Sequence, residues 1–268
     1  MRAPIKLSVR SLDLFPDTAG KEQIMIRIPH IVAHRGASIE APENTIAAFR
    51  VAQARGVNWI ECDVTLSADD QCVLIHDDTL ERTTNGSGPI HHHDLATLRQ
   101  LDAGAWFSDI YKGERIPTLS ETLDTLAALG MGVNLEIKPS GCDAMKLAGE
   151  VAREIANRKD VPILLSSFDR DIVAKMAGLC PDHDCGWLVE EIPGDWQAEY
   201  KRLKASALHV DHKQLTAEMC AEITGENVPL ICYTVNDPDR ARSLLSWGVS
   251  SIITDNPALM TTVIPPIK

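Results

Sequence analysis

No run of about 18 apolar residues occurs in this sequence, so a membrane-spanning helix is not expected. The opening stretch, MRAPIKLSVRSLDLFPDTAG, lacks the continuous apolar segment of a secretory signal. GxGxxG and GxxxxGK[ST] loops are both missing, which weakens nucleotide-binding readings. No C-x-x-C pair occurs, and the seven cysteines are an odd number. That disfavours a disulfide framework. Free buried thiols in a reducing compartment are the simpler expectation, and the cytoplasm is the expected location. Positive charge is scarce: 26 Lys and Arg stand against 38 Asp and Glu, a formal net charge of −12. Such a chain is repelled on average by nucleic acid and by anionic membrane surfaces. No basic or aromatic amphipathic helix offsets that repulsion, so neither nucleic acid nor a stable membrane association is expected. An anionic small molecule must then be met by local positive charge or by a metal ion.

What is present reads as one globular unit. Hydrophobic residues make up 44% and charged residues 24% of 268 residues, enough to bury a sizeable core without disulfides. Residues 1–28 match no pattern and are expected to form an N-terminal extension to a folded domain over 29–268. From residue 30 short apolar runs alternate with segments of helical period. The runs are Ile31-Ala33, Trp59-Leu66, Cys72-Ile75, Val133-Ile137, Pro162-Leu165, Gly186-Val189, Ala207-Val210, Pro229-Val235 and Ser251-Ile253. Helical spacing is clearest over Thr45–Arg55, Glu121–Leu129 and Asp239–Trp247. Strand-helix alternation predicts an α/β fold with a largely parallel sheet, and eight or nine runs in about 240 residues favour a closed (β/α)8 barrel of the TIM type.

Two segments depart from the alternation. The gap Ser67–Gln71 is too short for a crossover helix, so the second and third runs should form an antiparallel hairpin. Residues 77–118 hold no clear barrel strand, only a short helix predicted from the Asp94 cap through Leu95, Leu98 and Leu101. A loop of that length reads as an insertion at the barrel mouth.

Chemistry-bearing residues gather at predicted strand ends, where barrel active sites form. His34-Arg35-Gly36 follows the first run. Glu61 and Asp63 lie two apart in an apolar strand and so share a face. Two buried carboxylates repel and lose hydration unless a cation sits between them, although an exposed edge strand would also accept the pair. In the hairpin, register sums of roughly 137–138 bring His76 opposite or next to Glu61 and close to Asp63. The plainer alternative is a strand-end histidine bonded to Asp78. Glu136 and Lys138 again share a face; they form either a salt bridge or a third metal ligand with a phosphate-binding cation. Glu61, Asp63 and Glu136 together make an all-oxygen site. It suits one Mg²⁺ or Ca²⁺, with Mn²⁺ possible, rather than Zn²⁺. Two histidines, an arginine and a lysine around it are the inventory for cleaving a phosphate diester.

The ordered set His34-Arg35-Gly36, Pro42-Glu43-Asn44-Thr45, Glu61-x-Asp63, His76-Asp77-Asp78-x-Leu80-x-Arg82-Thr83, Leu135-Glu136-Ile137-Lys138-Pro139 and Tyr233-Thr234-Val235-Asn236 resembles the glycerophosphodiester phosphodiesterases. The resemblance runs from about residue 30 to residue 256. With Leu165-Ser-Ser-Phe168 and Leu208-His-Val-Asp-His212-Lys213, the chain looks most like the bacterial cytosolic type linked to glycerol 3-phosphate uptake. The resemblance implies a phospholipase-C-like phosphodiesterase barrel with a small insertion after the hairpin. It implies a divalent cation on Glu61, Asp63 and Glu136, an acid/base pair in His34 and His76, and phosphate contacts from Arg35 and Lys138. Glycerophosphocholine and glycerophosphoethanolamine are the implied substrates, with glycerol 3-phosphate and an alcohol as products. Glu43 would support Arg35 or cap the helix near Thr45. Phe168 and Tyr233 would line the glycerol pocket or simply pack the core. Many relatives carry Trp where Tyr233 stands. The competing readings are a phosphodiesterase acting on intact phospholipids and a non-catalytic barrel that binds phosphate esters. A monomer and a homodimer are equally compatible with the pattern.

Three further groups have plainer expectations. His91-His-His93 should be a solvated loop. His209 and His212 should pack and make surface hydrogen bonds. Cys180 and Cys185 should flank a helix-to-strand loop.

Overall fold

In the computed structural model, which describes residues 28–264, strands form where the apolar runs predict them. They are β1 (Ile31–His34), β2 (Trp59–Leu66), β3 (Cys72–Leu74), β4 (Gly132–Ile137), β5 (Ile163–Ser167), β6 (Asp184–Val189), β7 (Ala207–Asp211), β8 (Leu230–Tyr233) and β9 (Ser251–Thr254). The hydrogen-bonded order is β1-β9-β8-β7-β6-β5-β4-β2-β3, and β1 also pairs with β2. That last pairing closes eight parallel strands into a barrel, as the alternation predicted.

β2 explains how the ninth strand fits. One edge of β2 pairs with β4 from Trp59 to Val64. Its other edge is shared: β1 takes Ile60 and Glu61, and antiparallel β3 takes Val64 to Leu66. The observed hairpin register sum is 138, within the expected range. Ile75 N–H then donates to the Asp63 carbonyl at 3.2 Å, which delivers His76 to the level of Asp63.

Helices α1 (Ile46–Ala54), α3 (Leu119–Leu129), α4 (Ala144–Ile155), α5 (Arg170–Leu179), α6 (Trp196–Leu203), α7 (Ala217–Gly225), α8 (Pro238–Ser246) and α9 (Pro257–Val263) cover the barrel; short α2 (Leu95–Leu98) lies in the insertion. Their starts follow capping chemistry. Thr118 and Glu121 form a reciprocal capping box on α3, and Gly130 ends that helix at a φ of 65°. Such a cap contributes about 1 kcal/mol. Asp237 caps α8 with Pro238 at its first turn. The apolar faces pack Phe49, Leu123, Leu126, Leu147, Val151 and Ile172 against the outside of the barrel.

Inside the barrel a separate apolar cluster of Val32, Trp59, Leu164, Ala207, Ile231 and Ile253 forms the floor. Trp59 fills the space over Gly132, where a Cβ would lie 2.4 Å from its ring. The floor seals one end, so polar side chains on the same inward faces can meet a ligand only from the other.

Residues 77–118 contain no strand. Single bridges join Val73 to Thr118 and Thr79 to Pro89. Val73, Ile75, Leu80, Ile90, Leu98 and Ile116 give the insertion its own small core against β3. Tyr111 Oη donates to the Glu40 carbonyl at 2.9 Å, tying the insertion to the loop after β1. Residues 1–27, most of the expected N-terminal extension, lie outside the described residues.

Candidate active site

Strands β2 and β4 bring three acids together. Oxygens of Glu61, Asp63 and Glu136 all lie within 4.8 Å of one another. Parallel register makes this inevitable once β2 and β4 pair, because Asp63 stands beside Glu136. Glu61 and Asp63 are 3% and 1% exposed, which removes the solvated-edge alternative. Burial, then Asp63 and Glu136, holds the Glu61 carboxyl well above its ordinary range. Burial and then Asp63 push Glu136 up to about 8. A cluster that resists ionisation when bare is one that a hard cation would stabilise.

Loop geometry after β1 supports these acids. Arg35 N–H donates to Glu61 Oε2 at 3.0 Å, and Arg35 Nε lies 3.5 Å from Asp63 Oδ2. Asn44 Nδ2 donates to Asp63 Oδ2 at 2.8 Å, while Asn44 Oδ1 accepts the Asp63 N–H at 3.2 Å. Arg35 and Asn44 both adopt left-handed backbone, at φ 56° and 55°. Gly36 is required by crowding: a Cβ there would meet Ala48 at 2.7 Å. Burial opposes the Arg35 charge, but Asp63, Glu43 and Glu61 outweigh it and hold the guanidinium above its usual pKa.

Each histidine is held by its own aspartate. His34 Nδ1 lies 2.6 Å from Asp255 Oδ1, and its Nε2 lies 3.9 Å from Glu61 Oε2. Asp255 also accepts from Ser38 Oγ at 3.2 Å and from Asn236 Nδ2 at 2.6 Å. Burial opposes the Asp255 charge, but the His34 hydrogen bond and its neighbours hold this carboxyl down at about 2. His76 Nδ1 lies 2.7 Å from Asp77 Oδ1. The partner is therefore Asp77 and not Asp78, because the chain turns directly after the strand. Arg82 grips Asp77 from the far side, at 2.6 and 2.9 Å, and reaches Glu43 at 2.7 and 2.8 Å. Glu43 accepts in turn from Arg35 Nη1 at 2.7 Å. Glu43 thus supports Arg35 and does not cap α1; that cap is Thr45. Lys138 Nζ lies 3.0 Å from His76 Nε2. Burial first, with Arg35 and Lys138 adding to it, lowers the His76 pKa.

A cavity of about 660 Å³ opens over these groups, lined by His34, Arg35, Glu61, His76, Glu136 and Lys138 on one side. Phe168 and Tyr233 line the other, packed edge to face at 5.9 Å. Tyr233 Oη donates to the Val189 carbonyl at 2.8 Å, so its ring and not its hydroxyl faces this space. Of the two expectations for this aromatic pair, cavity lining is the one observed. All seven residues picked from the sequence as site candidates meet in this one place.

Asp255, Asn44 and the Arg82–Asp77 pair were not predicted as site residues. Asp255 stands just beyond a barrel strand, and that position was the available signal. His91-His-His93 is not simply a solvated loop. It forms a tight turn in which His91 Nδ1 meets the Ser140 carbonyl at 3.2 Å and His93 Nε2 the Ser87 carbonyl at 3.1 Å. It does not join the carboxylate cluster. His209 makes no surface hydrogen bond: it is fully buried inside the barrel, and burial pushes its imidazole down to about 3. His212 lies near the surface, where Arg240 Nε donates to its Nδ1 at 3.4 Å. All seven cysteines are free, as expected, and all but Cys142 are buried. Among the described residues no helix is long and apolar enough to cross a membrane.

The model of the glycerophosphoryl diester phosphodiesterase family matches residues 34–259. A glycerophosphodiester phosphodiesterase of Caldanaerobacter subterraneus is 32% identical over 236 residues, 87% of this chain and 97% of the relative. One from Bacillus subtilis is 31% identical over 252 residues, covering 87% and 85%. Among solved structures, an Oleispira antarctica phosphodiesterase in complex with the product sn-glycerol-3-phosphate superposes with a TM-score of 0.84 at 34% identity, over 87% of this chain and 96% of that one. A glycerophosphodiester phosphodiesterase from Agrobacterium tumefaciens gives 0.73 at 31% identity, over 87% and 99%.

Proposed function

The chain belongs to the glycerophosphoryl diester phosphodiesterase family, and from that membership we propose how its site performs the hydrolysis of glycerophosphodiesters. The observation that carries the proposal is the triad of buried Glu61 and Asp63 with half-buried Glu136, flanked by two imidazoles that each have their own aspartate.

The triad would hold one divalent cation. Three carboxylates and no thiolate or imidazole form a hard-oxygen donor set, which suits Mg²⁺ or Ca²⁺ first and Mn²⁺ next. When bound, such a cation supplies positive charge against the phosphoryl oxygens as negative charge grows on them. Arg35 and Lys138 bring fixed positive charge to the same region, which an anionic substrate of an acidic protein needs.

His34 and His76 are the acid/base pair. Nδ1 of each ring is engaged by Asp255 or Asp77, which fixes the ring; Nε2 of His34 is left for the substrate, and Nε2 of His76 is shared with Lys138 Nζ until substrate displaces that contact. One imidazole takes a proton from the nucleophile, which is either water or a glycerol hydroxyl whose cyclic phosphate a water then opens. The other protonates the departing alcohol oxygen, which otherwise leaves poorly as an alkoxide. Phe168 and Tyr233 present apolar surface to the glycerol carbons.

The substrates we assign are glycerophosphocholine and glycerophosphoethanolamine, giving sn-glycerol 3-phosphate and the free alcohol. The solved relative in complex with the product sn-glycerol-3-phosphate supports the glycerophosphate half of that choice. The test is release of glycerol 3-phosphate from glycerophosphocholine, with EDTA and then with Mg²⁺, Ca²⁺ or Mn²⁺ restored. Release abolished by EDTA and rescued by a hard cation is the expected result. Full release in EDTA would remove the cation from the mechanism.

A further inference from the structure

The acid triad rests on a layer of polar side chains that the chemistry above does not use. Asn134, Ser166 and His209 are 2%, 0% and 0% exposed. Asn134 Oδ1, Ser166 Oγ and both ring nitrogens of His209 have no hydrogen-bond partner among the described residues. Four unpaired buried atoms would forfeit a large share of a domain's stability.

Sheet register places this layer directly against the proposed ligands. Asn134 stands beside Glu61, and Ser166 stands beside Glu136. Neighbours in parallel register point the same way, so all four share the inward face. His209 reaches the layer from β7, two strands round the barrel from Ser166. A Cβ built on Gly186 would lie 2.3 Å from His209 Nε2, so the imidazole occupies the space that a side chain at 186 would fill. Gly186 is itself the register neighbour of Ser166, one strand spacing of roughly 4.8 Å away. His209 and Ser166 therefore approach without bonding directly.

Below the layer lies the apolar floor of Val32, Trp59, Leu164, Ala207, Ile231 and Ile253. Above it lie the carboxylates and Asn134's face of the cavity. The inventory is complementary to water: Asn134 Oδ1 accepts, the Ser166 hydroxyl does both, and a neutral imidazole offers one donor and one acceptor. Buried polar atoms lacking a protein partner are commonly satisfied by ordered water.

We infer that the barrel encloses ordered water between His209, Ser166 and Asn134, and that this hydrated layer holds Glu61 and Glu136 in position to bind a cation. His209 and Ser166 are then positioning residues that touch neither substrate nor metal. The inference rests on the carboxylate metal site proposed above. Outer hydrogen bonds of this kind tune metal affinity, since they fix the orientation of the groups that ligate.

The test uses the full chain stripped of metal and titrated with Mn²⁺ by calorimetry, beside thermal melts and a high-resolution crystal structure. Ser166→Ala removes one oxygen. His209→Phe keeps an aromatic ring, somewhat larger, and removes both nitrogens, while His209→Gln keeps a donor and an acceptor. Ser166→Ala and His209→Phe should each weaken Mn²⁺ binding about 10–100-fold, with His209→Gln closer to wild type. Density for water within hydrogen-bond distance of at least two of the three side chains is expected. A dry layer overturns the inference, as does Mn²⁺ affinity unchanged in Ser166→Ala. A purely packing role would move the melting temperature and leave Mn²⁺ affinity alone. Should His209→Phe not fold, Ser166→Ala decides. Wild-type protein that binds no Mn²⁺ would sink the carboxylate site itself, whereas tight wild-type binding with an indifferent Ser166→Ala would sink only the positioning role.

Discussion

Asp255 Oδ1 sits 2.6 Å from Nδ1 of His34, a residue 221 positions away in the chain. The contact exists because β9 pairs with β1, Ala33 beside Thr254, so the residues following each strand emerge together. It gives His34 the same kind of support that Asp77 gives His76.

If Asp255 fixes the His34 ring, Asp255→Asn should lower kcat on the order of 10²-fold with little change in KM. It should also shift the pH-rate profile, because the carboxylate no longer stabilises an imidazolium. Steady-state kinetics across pH checks both. An unchanged profile would make Asp255 a bystander.

His34→Ala and His76→Ala should each remove nearly all turnover while circular dichroism stays native. Neither ring belongs to the main apolar core, so folding does not depend on them. Near-normal kcat in either variant would end the acid/base assignment. The loss expected per histidine is roughly 10²–10⁴-fold.

Glu61→Gln replaces a charged ligand with a neutral one of the same shape. The cation concentration for half-maximal activity should rise by about 10-fold or more. It should also raise the stability of the metal-free protein above the ordinary carboxylate range of pH, since a neutral amide avoids the cost of keeping that buried acid protonated. Metal activation curves and melts in EDTA read the two effects separately.

The bare triad predicts an unusual stability profile. Folding raises the Glu61 carboxyl well above its ordinary range and Glu136 to about 8. Over that interval the folded state keeps protons that the unfolded state has released, so stability falls as pH rises. Buried His76 and His209 act in the opposite sense. Their lowered folded pKa values cost stability only as pH falls below about 6.5. Between pH ~6.5 and ~8.5 the carboxylates therefore dominate. The melting temperature in EDTA should drop across this window, and saturating Mg²⁺ should flatten the drop. A rise in EDTA would show that the triad ionises freely.

Replacing His91, His92 and His93 together by Ala should leave kcat within a few-fold. Their two observed ring hydrogen bonds go to loop carbonyls at Ser140 and Ser87. A collapse of activity with the fold intact would reveal a site there.

The sequence alone determined everything that depends on local period. Alternation in β2 and β4 puts Glu61 with Asp63 and Glu136 with Lys138 on one face, whatever the rest of the chain does. The five-residue gap after β2 forces a hairpin, and its register carries His76 back to the acids. The alternation of strands and helices foretold the barrel, because apolar runs joined by amphipathic helices bury their surface by closing. Tertiary structure alone decided the partners. Asp255 reads locally as a loop acid, Asn44 as part of a helix start, Glu43 as a possible cap, and His209 as a strand-end histidine. Each acquires its role only when barrel closure brings distant strand ends within hydrogen-bond reach, and spacing along one strand carries no information about which strand will stand beside it. His209 shows the limit most clearly. Its burial depends on Gly186 leaving room on the adjacent strand, a fit between two strands that neither sequence segment states.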